Sequence, residues 1–273
     1  MREAGPAGLA WLLKKASLVG AFFVGAIWCF PVLAFCPAPS GLQSVSVRSV
    51  VDGDTLRLDD GRSVRLIGIN APEIGRKGKR SEPLAETARR RLEVLVRGSG
   101  GRVGLLPGAE PRDKYGRTLA HVYGRSGDNL ESVLLSEGLG YRVAIAPNVR
   151  LADCQRQAEH AARQAGAGLW RMSPVIRANR LERSGFAIVG GKVSDIRRNR
   201  GGIWIEVDNA LVLQIPAKWQ RSFPASFLSG LKGRDIEARG WVLDRSRKGG
   251  LKPGQQRWLL PVTDPGMLER VGR

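Results

Sequence analysis

From Ser44 onward the chain alternates apolar and polar residues in short runs. They read Val-Ser-Val-Arg-Ser-Val-Val at 45–51, Thr-Leu-Arg-Leu at 55–58 and Ser-Val-Arg-Leu-Ile-Gly-Ile at 63–69, with Asp59-Asp60-Gly61-Arg62 between the last two. A period of two puts alternate side chains on opposite faces of a strand, and Asp-Asp-Gly suits a tight turn, so the pattern predicts a strand meander. The period then changes. Residues 82–97 place Leu84, Ala88, Leu92 and Leu95 on one helical face, with Ser81 as candidate N-cap and Pro83 tolerated in the first turn. After Gly98-Ser99-Gly100-Gly101 come further strand-like pieces, including Thr-Leu-Ala-His-Val-Tyr at 118–123. A helix at 130–137 ends at Gly138, and a last one runs from about Val149 to Gln164 before Leu169-Trp170. Strands, helix, strands and helices in that order predict an α+β domain with a small barrel and helices at one side.

A Pro- and Arg-containing stretch at 173–185 reads as a linker. Beyond it, residues 186–273 hold five short apolar runs with Gly-rich turns, plus the segment Ala217 to Leu231 between the third and fourth. That spacing predicts a second small OB-like all-β barrel.

The N-terminus has the layout of an export signal. Arg2, Lys14 and Lys15 precede a nearly unbroken apolar run from Ala16 to Ala34, and Val32-Leu33-Ala34 presents small residues where a signal peptidase reads. The expectation is a signal peptide at 1–34 with a mature start near Phe35. The alternative is an uncleaved membrane anchor, since about twenty apolar residues can span a bilayer. Either places the remainder outside the cytosol, in the periplasm or secreted. Cys29 falls within that segment, leaving Cys36 and Cys154 as a candidate disulfide in an oxidising compartment. Three Cys and two His in all argue against a structural zinc site.

Charge narrows the partners. The 273 residues carry 44 Lys and Arg against 25 Asp and Glu, a net +19. Residues 41–172 hold 22 basic and 15 acidic side chains and residues 173–273 hold 19 and 9, so the excess is no detachable tail. Such a surplus draws polyanions by counterion release, and DNA or RNA is the expected partner, with anionic lipid or wall polymer the alternative. In the second half Trp204, Trp219, Trp241 and Trp258 are interleaved with Arg197, Arg198, Arg200, Arg239, Arg245, Arg247 and Lys248. Most of these tryptophans read as barrel core; the Arg197–Gly202 and Arg245–Lys252 loops are the better phosphate contacts.

Three segments carry chemistry. Val51-Asp52-Gly53-Asp54-Thr55 sets two carboxylates around a glycine, able to turn oxygens toward a hard cation. Arg65-Leu66-Ile67-Gly68-Ile69-Asn70-Ala71-Pro72-Glu73 delivers a cation at one end of an apolar strand and an amide and a carboxylate at the other. Asp113-Lys114-Tyr115-Gly116-Arg117 is a polar turn with two cations. Each taken singly is an ordinary turn or strand end. Together they supply what phosphodiester hydrolysis needs: cations to grip phosphate, a carboxylate to act on water, and oxygen ligands for a divalent metal.

In that order and spacing, and with Ala-Glu-His-Ala-Ala-Arg-Gln-Ala-Gly-Ala-Gly-Leu-Trp at 158–170, the segments make residues 44–172 resemble the staphylococcal (micrococcal) nuclease-like family of thermonucleases. The resemblance implies a five-stranded OB-type β-barrel with three helices. It also implies an endonucleolytic, Ca²⁺-dependent hydrolysis of DNA and RNA leaving 3′-phosphate ends, with Mg²⁺ or another divalent ion as substitute. Carried over by position, Asp54 and Asn70 are metal ligands, Ala71 offers its backbone carbonyl, and Asp52 stands close behind. Arg65 and Arg117 are the catalytic arginines, Glu73 the general base, and Lys114 and Tyr115 approach a neighbouring substrate phosphate. Asn70 departs from the pattern, standing where the family's staphylococcal enzyme has a second metal-binding aspartate. No clear counterpart of the family's base-stacking tyrosine is present, Tyr141 being the nearest. A catalytically impaired nucleic-acid-binding protein that keeps the fold is the alternative.

Overall fold

The computed structural model describes residues 35–247, 250, 251 and 253–272. The export-signal reading at 1–34 and the Lys248 and Lys252 phosphate contacts therefore lie outside the described residues. The elements follow in order: β1 (Gln43–Asp52), β2 (Thr55–Leu58), β3 (Ser63–Leu66), β4 (Ile69–Asn70), α1 (Ala85–Gly98), β5 (Arg102–Arg112), β6 (Thr118–Tyr123), α2 (Leu130–Ser136), β7 (Tyr141–Arg142) and α3 (Ala152–Gln164). The second half adds β8 (Val175–Arg177), β9 (Gly185–Asn199), β10 (Gly202–Val207), β11 (Leu211–Pro216), α4 (Ala225–Ser229), β12 (Asp235–Asp244), β13 (Trp258–Pro261) and β14 (Leu268–Arg270).

Strands β1, β2, β3, β6 and β5 close into a barrel, antiparallel throughout except where β3 runs parallel to β6. Its interior is filled from alternate strand positions, among them Val45, Leu56, Val64, Leu66, Val103, Leu105, Ala120 and Val122. The apolar stripes of α1 (Ala88, Leu92, Val96) and α2 (Leu130, Leu134, Leu135) cover it. The second barrel repeats the same path. Strands β9, β10, β11, β13 and β12 are paired in turn, β12 closes on β9, and β11 is parallel to β13. The chain is thus an α+β domain built on a closed five-stranded barrel, followed by a second closed five-stranded barrel. Val175–Arg177, in the stretch read as a linker, forms β8 and pairs in parallel with β9.

Two helix starts differ from the periodicity, for one reason: tertiary bonds take the residues first. Helix α1 begins at Ala85 rather than Glu82 because 81–83 fasten a loop. Ser81 Oγ accepts from Gly75 N at 3.1 Å, Glu82 N donates to Glu73 O at 2.9 Å, and Leu84 turns left-handed at φ 63°. Helix α3 begins at Ala152, because Asn148 is drawn aside to bridge both backbone groups of Glu110, at 2.8 and 2.9 Å. Cys36 and Cys154 are bonded, tying the chain before β1 to α3 across 118 residues.

An apolar cluster of Ala162, Trp170 and Ile188 and a set of ion pairs hold the two barrels against one another. Glu159 on α3 accepts from Arg142 N at 2.7 Å and pairs with the Arg239 guanidinium of β12. Arg142 also reaches Gly266 O at 2.6 Å and Glu269 at 3.0 Å. Nearby, Arg163 forks onto Glu237 with both contacts at 2.7 Å. Arg142 and Arg239 are wholly buried, while Glu269 and Arg163 at the edge of this seam are about a third exposed.

Candidate active site

Three strand ends and one turn converge at one rim of the first barrel. The Asp-Gly-Asp turn joins β1 to β2, and it can lie flat against its neighbours only because Gly53 lacks a side chain. A Cβ there would fall 2.6 Å from the Ala71 Cβ and 2.7 Å from the Ala88 Cβ. Asp54 is buried inside this turn. Its Oδ2 accepts from Ala71 N at 2.7 Å and meets Arg65 Nη1 at 2.6 Å, and its Oδ1 accepts from Thr55 Oγ1 at 3.1 Å. Asp54 N donates to Asp52 Oδ1 at 3.1 Å, so the two carboxylates sit side by side.

Arg65 points from β3 into the same cluster, where Nη2 also donates to Asn70 Oδ1 at 3.4 Å. The turn between β3 and β4 depends on Gly68, at φ 88°. A Cβ there would lie 1.9 Å from the Gln155 side chain, which donates to Ile67 O. The parallel pairing of β3 with β6 sets Val64 opposite Thr118 and so carries Arg117 to the same rim. Arg117 is held by Asp113, whose Oδ2 accepts from Nε at 2.7 Å and whose Oδ1 accepts from the backbone N–H groups of Tyr115 and Arg117. Tyr115 is 72 % exposed, with the Lys114 ammonium and the Arg117 guanidinium 5.0 and 5.6 Å from its ring centre.

Arg65, Asn70, Glu73, Lys114, Tyr115 and Arg117 line one cleft of about 900 Å³. An adjoining hollow of about 640 Å³ is shared by Asp52, Glu73, Arg117 and the cations Arg76, Lys77, Lys79 and Arg80 of the loop after β4. Glu73 and Arg117 stand where the two meet.

Electrostatics agree with the crowding. Burial pushes the Asp54 carboxyl up to about 7; Arg65 opposes this and Asp52 adds to it. Burial also raises Glu73, with the Asp52 charge acting in the same sense, which makes it a stronger base than an open carboxylate. Among the described residues, no group of three or more His, Cys, Asp and Glu side chains is assembled for a metal. The rim instead offers two adjacent carboxylates, from Asp52 and Asp54, and the amide oxygen of Asn70. Buried carboxylates compensated by a single arginine, with only oxygen donors around them, are a set that a hard divalent cation fits.

Sequence reasoning placed these residues from local motifs and missed two contributors. The loop cations 76–80 form a visible run, Arg-Lys-Gly-Lys-Arg, whose signal lay in its position three residues after Glu73. Trp241 of β12, read as barrel core, lies instead in the wall of the 900 Å³ cleft and is 40 % exposed. The alternation Arg239, Trp241, Leu243 along β12 does place it on the strand's outer face. Tyr141 pairs with Asn70 across β4 and β7, but its ring is packed between Phe186 and Trp170.

Comparison with known proteins gives the same frame. The model of the staphylococcal nuclease homologue family matches residues 63–172. A thermonuclease of Staphylococcus intermedius is 35 % identical over 132 residues, covering 47 % of this chain and 76 % of its own length. Endonuclease YncB of Bacillus subtilis (strain 168) is 33 % identical over 138 residues, covering 48 % and 64 %, so this chain spans just under two thirds of it. A thermonuclease of Staphylococcus hyicus is 29 % identical over 131 residues, covering 47 % and 76 %. The three relatives each cover about half of this chain, and the family model falls on the part from β3 to the end of the first barrel's helices. The chain belongs to the staphylococcal nuclease homologue family.

Proposed function

We propose that this protein is an exported, divalent-cation-dependent nuclease that hydrolyses phosphodiester bonds of DNA, RNA or both, cutting internally and leaving 3′-phosphate ends. The observation that carries the reading is the convergence of Arg65, Arg117 and Glu73 on one cleft, with Asp52 on the adjoining hollow and the buried Asp54 paired to Arg65 behind them. Its relatives' names, thermonuclease and endonuclease, support the same chemistry.

Arg65 and Arg117 grip the non-bridging oxygens of the scissile phosphate, and their fixed forks stabilise the charge that grows there as the bond breaks. Asp54 orients Arg65, and Asp113 orients Arg117. Glu73, its basicity raised by burial, takes a proton from the attacking water. The water oxygen bonds to phosphorus, the bond from phosphorus to the 5′-oxygen breaks, and that oxygen is protonated from solvent. Asp54, Asn70 and the Ala71 carbonyl, with Asp52 behind them, would hold a divalent cation such as Ca²⁺ or Mg²⁺, which neutralises phosphate charge when bound. Lys114 and Tyr115 meet a neighbouring phosphate. Export, with residues 1–34 as signal peptide or anchor, accords with the Cys36–Cys154 bond.

A second reading rests on Asn70. One negative charge fewer among the ligands weakens cation binding, and a retired site would leave a nucleic-acid-binding protein. Cleavage of single- and double-stranded DNA and RNA separates the two, run in Ca²⁺, Mg²⁺ and EDTA beside Glu73→Gln and Arg65→Ala. Metal-dependent cleavage lost in both variants supports the nuclease. Salt-sensitive binding with no cleavage in any metal supports the binder.

A further inference from the structure

The first cleft has two unlike walls. One is charged and belongs to the nuclease barrel: the cations Arg65, Arg112, Lys114 and Arg117, with the carboxylates Glu73, Glu110 and Asp113. The other is apolar and includes Val143, Ile145 and Pro147 from the segment after β7, ending at Trp241 of the second barrel. A site that pairs cations with open apolar surface suits a ligand with an anionic backbone and flat apolar bodies.

Trp241 is fixed where it stands. On the outer face of β12, Glu237 and Arg239 are covered by α3, and Trp241 comes two residues later, where that cover ends. In register it faces Phe186 of β9, whose ring meets the indole edge-on, with centroids 5.4 Å apart and planes at 70°. Phe186 is stacked in turn on Tyr141, at 5.7 Å and 18°, and Tyr141 is the strand partner of Asn70. A chain of rings therefore runs from the centre of the site to the exposed indole. Burying a large aromatic is favourable by a few kcal/mol, yet this one is left 40 % open in a cleft rather than turned inward.

We propose that Trp241 is a base-stacking residue of the nuclease site. It takes an unpaired nucleobase of the strand whose phosphates lie on Arg65 and Arg117, so that the second barrel supplies part of the substrate site. This rests on the nucleic-acid reading above but not on cleavage. A base inside a duplex has both faces covered by its neighbours, so the indole selects single-stranded or locally opened substrate.

The test compares two labelled oligonucleotides of equal length and charge, one bearing bases and one made of abasic tetrahydrofuran nucleotides. Each is titrated by fluorescence anisotropy against the intact protein in EDTA. Stacking on one aromatic is worth enough that Trp241→Ala should weaken base-bearing single strands by about 5-fold or more, leaving abasic affinity unchanged. Trp241→Phe should retain most of the affinity, whereas Trp241→Leu, which keeps apolar bulk without a π-face, should behave like the alanine variant. The leucine comparison also decides the matter if the alanine variant fails to fold. Unchanged affinity for base-bearing strands, equal losses on both probes, or wild-type behaviour of Trp241→Leu overturns the assignment. Because the titration needs no turnover, a protein that never cleaves would sink the nuclease reading while the two probes still decide whether Trp241 stacks a base.

Discussion

Replacing Glu159 by Gln isolates the charge that joins the two barrels. Glu159 sits between two arginines that have no access to solvent, accepting from the backbone of Arg142 and from the side chain of Arg239. Glutamine keeps the length and one carbonyl oxygen, so the hydrogen bond to Arg142 N can survive while the negative charge is lost. Two buried guanidinium groups then share a single carboxylate, Glu269, which is itself about a third exposed and partly screened. Their mutual repulsion already acts on Arg142, whose pKa is lowered by burial first and by Arg239 next. Removing one partner of a buried pair costs about 3–5 kcal/mol. At roughly 2–4 °C per kcal/mol for a chain of this size, Tm should fall by about 6–20 °C. Calorimetry on wild type and Glu159→Gln reads this directly, and the drop should persist in 0.5 M salt because the pair is shielded from ions. Replacing the pair together, Glu159→Leu with Arg239→Met, should recover part of the loss. A drop under about 2 °C, or one that vanishes in salt, would mean that water reaches the seam and that the charges are worth no more than surface pairs.

Other perturbations bear on the site and the frame around it. Arg117→Ala should lower kcat by about 10²–10³-fold with the fold intact, whereas Asp113→Asn, which only loosens Arg117, should cost less; steady-state cleavage rates decide. Asp54 has its carboxyl pushed up to about 7 in the folded chain against an ordinary 3.8, so the folded form binds the extra proton between those values. Stability in EDTA should therefore fall as pH rises from about 4 to about 7 and stay low above it. Thermal melts of wild type and Asp54→Asn should show that slope flattened in the variant, and equal slopes would contradict it. Replacing both Cys36 and Cys154 by Ser releases a loop of 118 residues and should cost about 2–5 kcal/mol in urea denaturation.

What could be read in the sequence was whatever the chain writes locally. The Asp-Gly-Asp turn, the strand ending at Asn70 and the Asp113 turn each position side chains within a few residues, so their spacing carries most of their geometry. Both barrels were legible for the same reason, since period-two runs and turn residues specify strands, but the parallel pairs β3–β6 and β11–β13 join strands distant in sequence and left no local mark. The starts of α1 and α3 were not legible. Local periodicity cannot show that Ser81 and Glu82 are needed to fasten the 73–82 loop, or that Asn148 is needed against Glu110. Trp241 was hidden for a further reason. Alternation shows that it leaves its own barrel's interior, but whether that outer face meets water, protein or substrate depends on where the second barrel docks. That docking is made by Arg142, Glu159 and Arg239 and by Trp170 packing with Ile188, from segments far apart in sequence.

The two barrels share one strand order, yet among the described residues the candidate site lies on the first, and the difference lies in the rim. In the first, the β1–β2 turn carries two carboxylates, and the parallel β3–β6 pair sets Arg65 beside the approach of Arg117. In the second, the same parallel pair is β11 with β13, with Leu211 opposite Trp258 and Leu213 opposite Leu260, which is core in place of charge. The turn between β9 and β10 holds Asn199, whose Oδ1 accepts from Gly201 N and from Trp204 Nε1, with no carboxylate. A repeated frame with its reactive residues on one copy suits division of labour, in which one barrel breaks the bond and the other holds the strand. On that account, cutting the seam at Glu159 should do more than lower Tm. It should also erode the preference for base-bearing over abasic strands, because Trp241 keeps its place in the cleft only while β12 stays docked on α3.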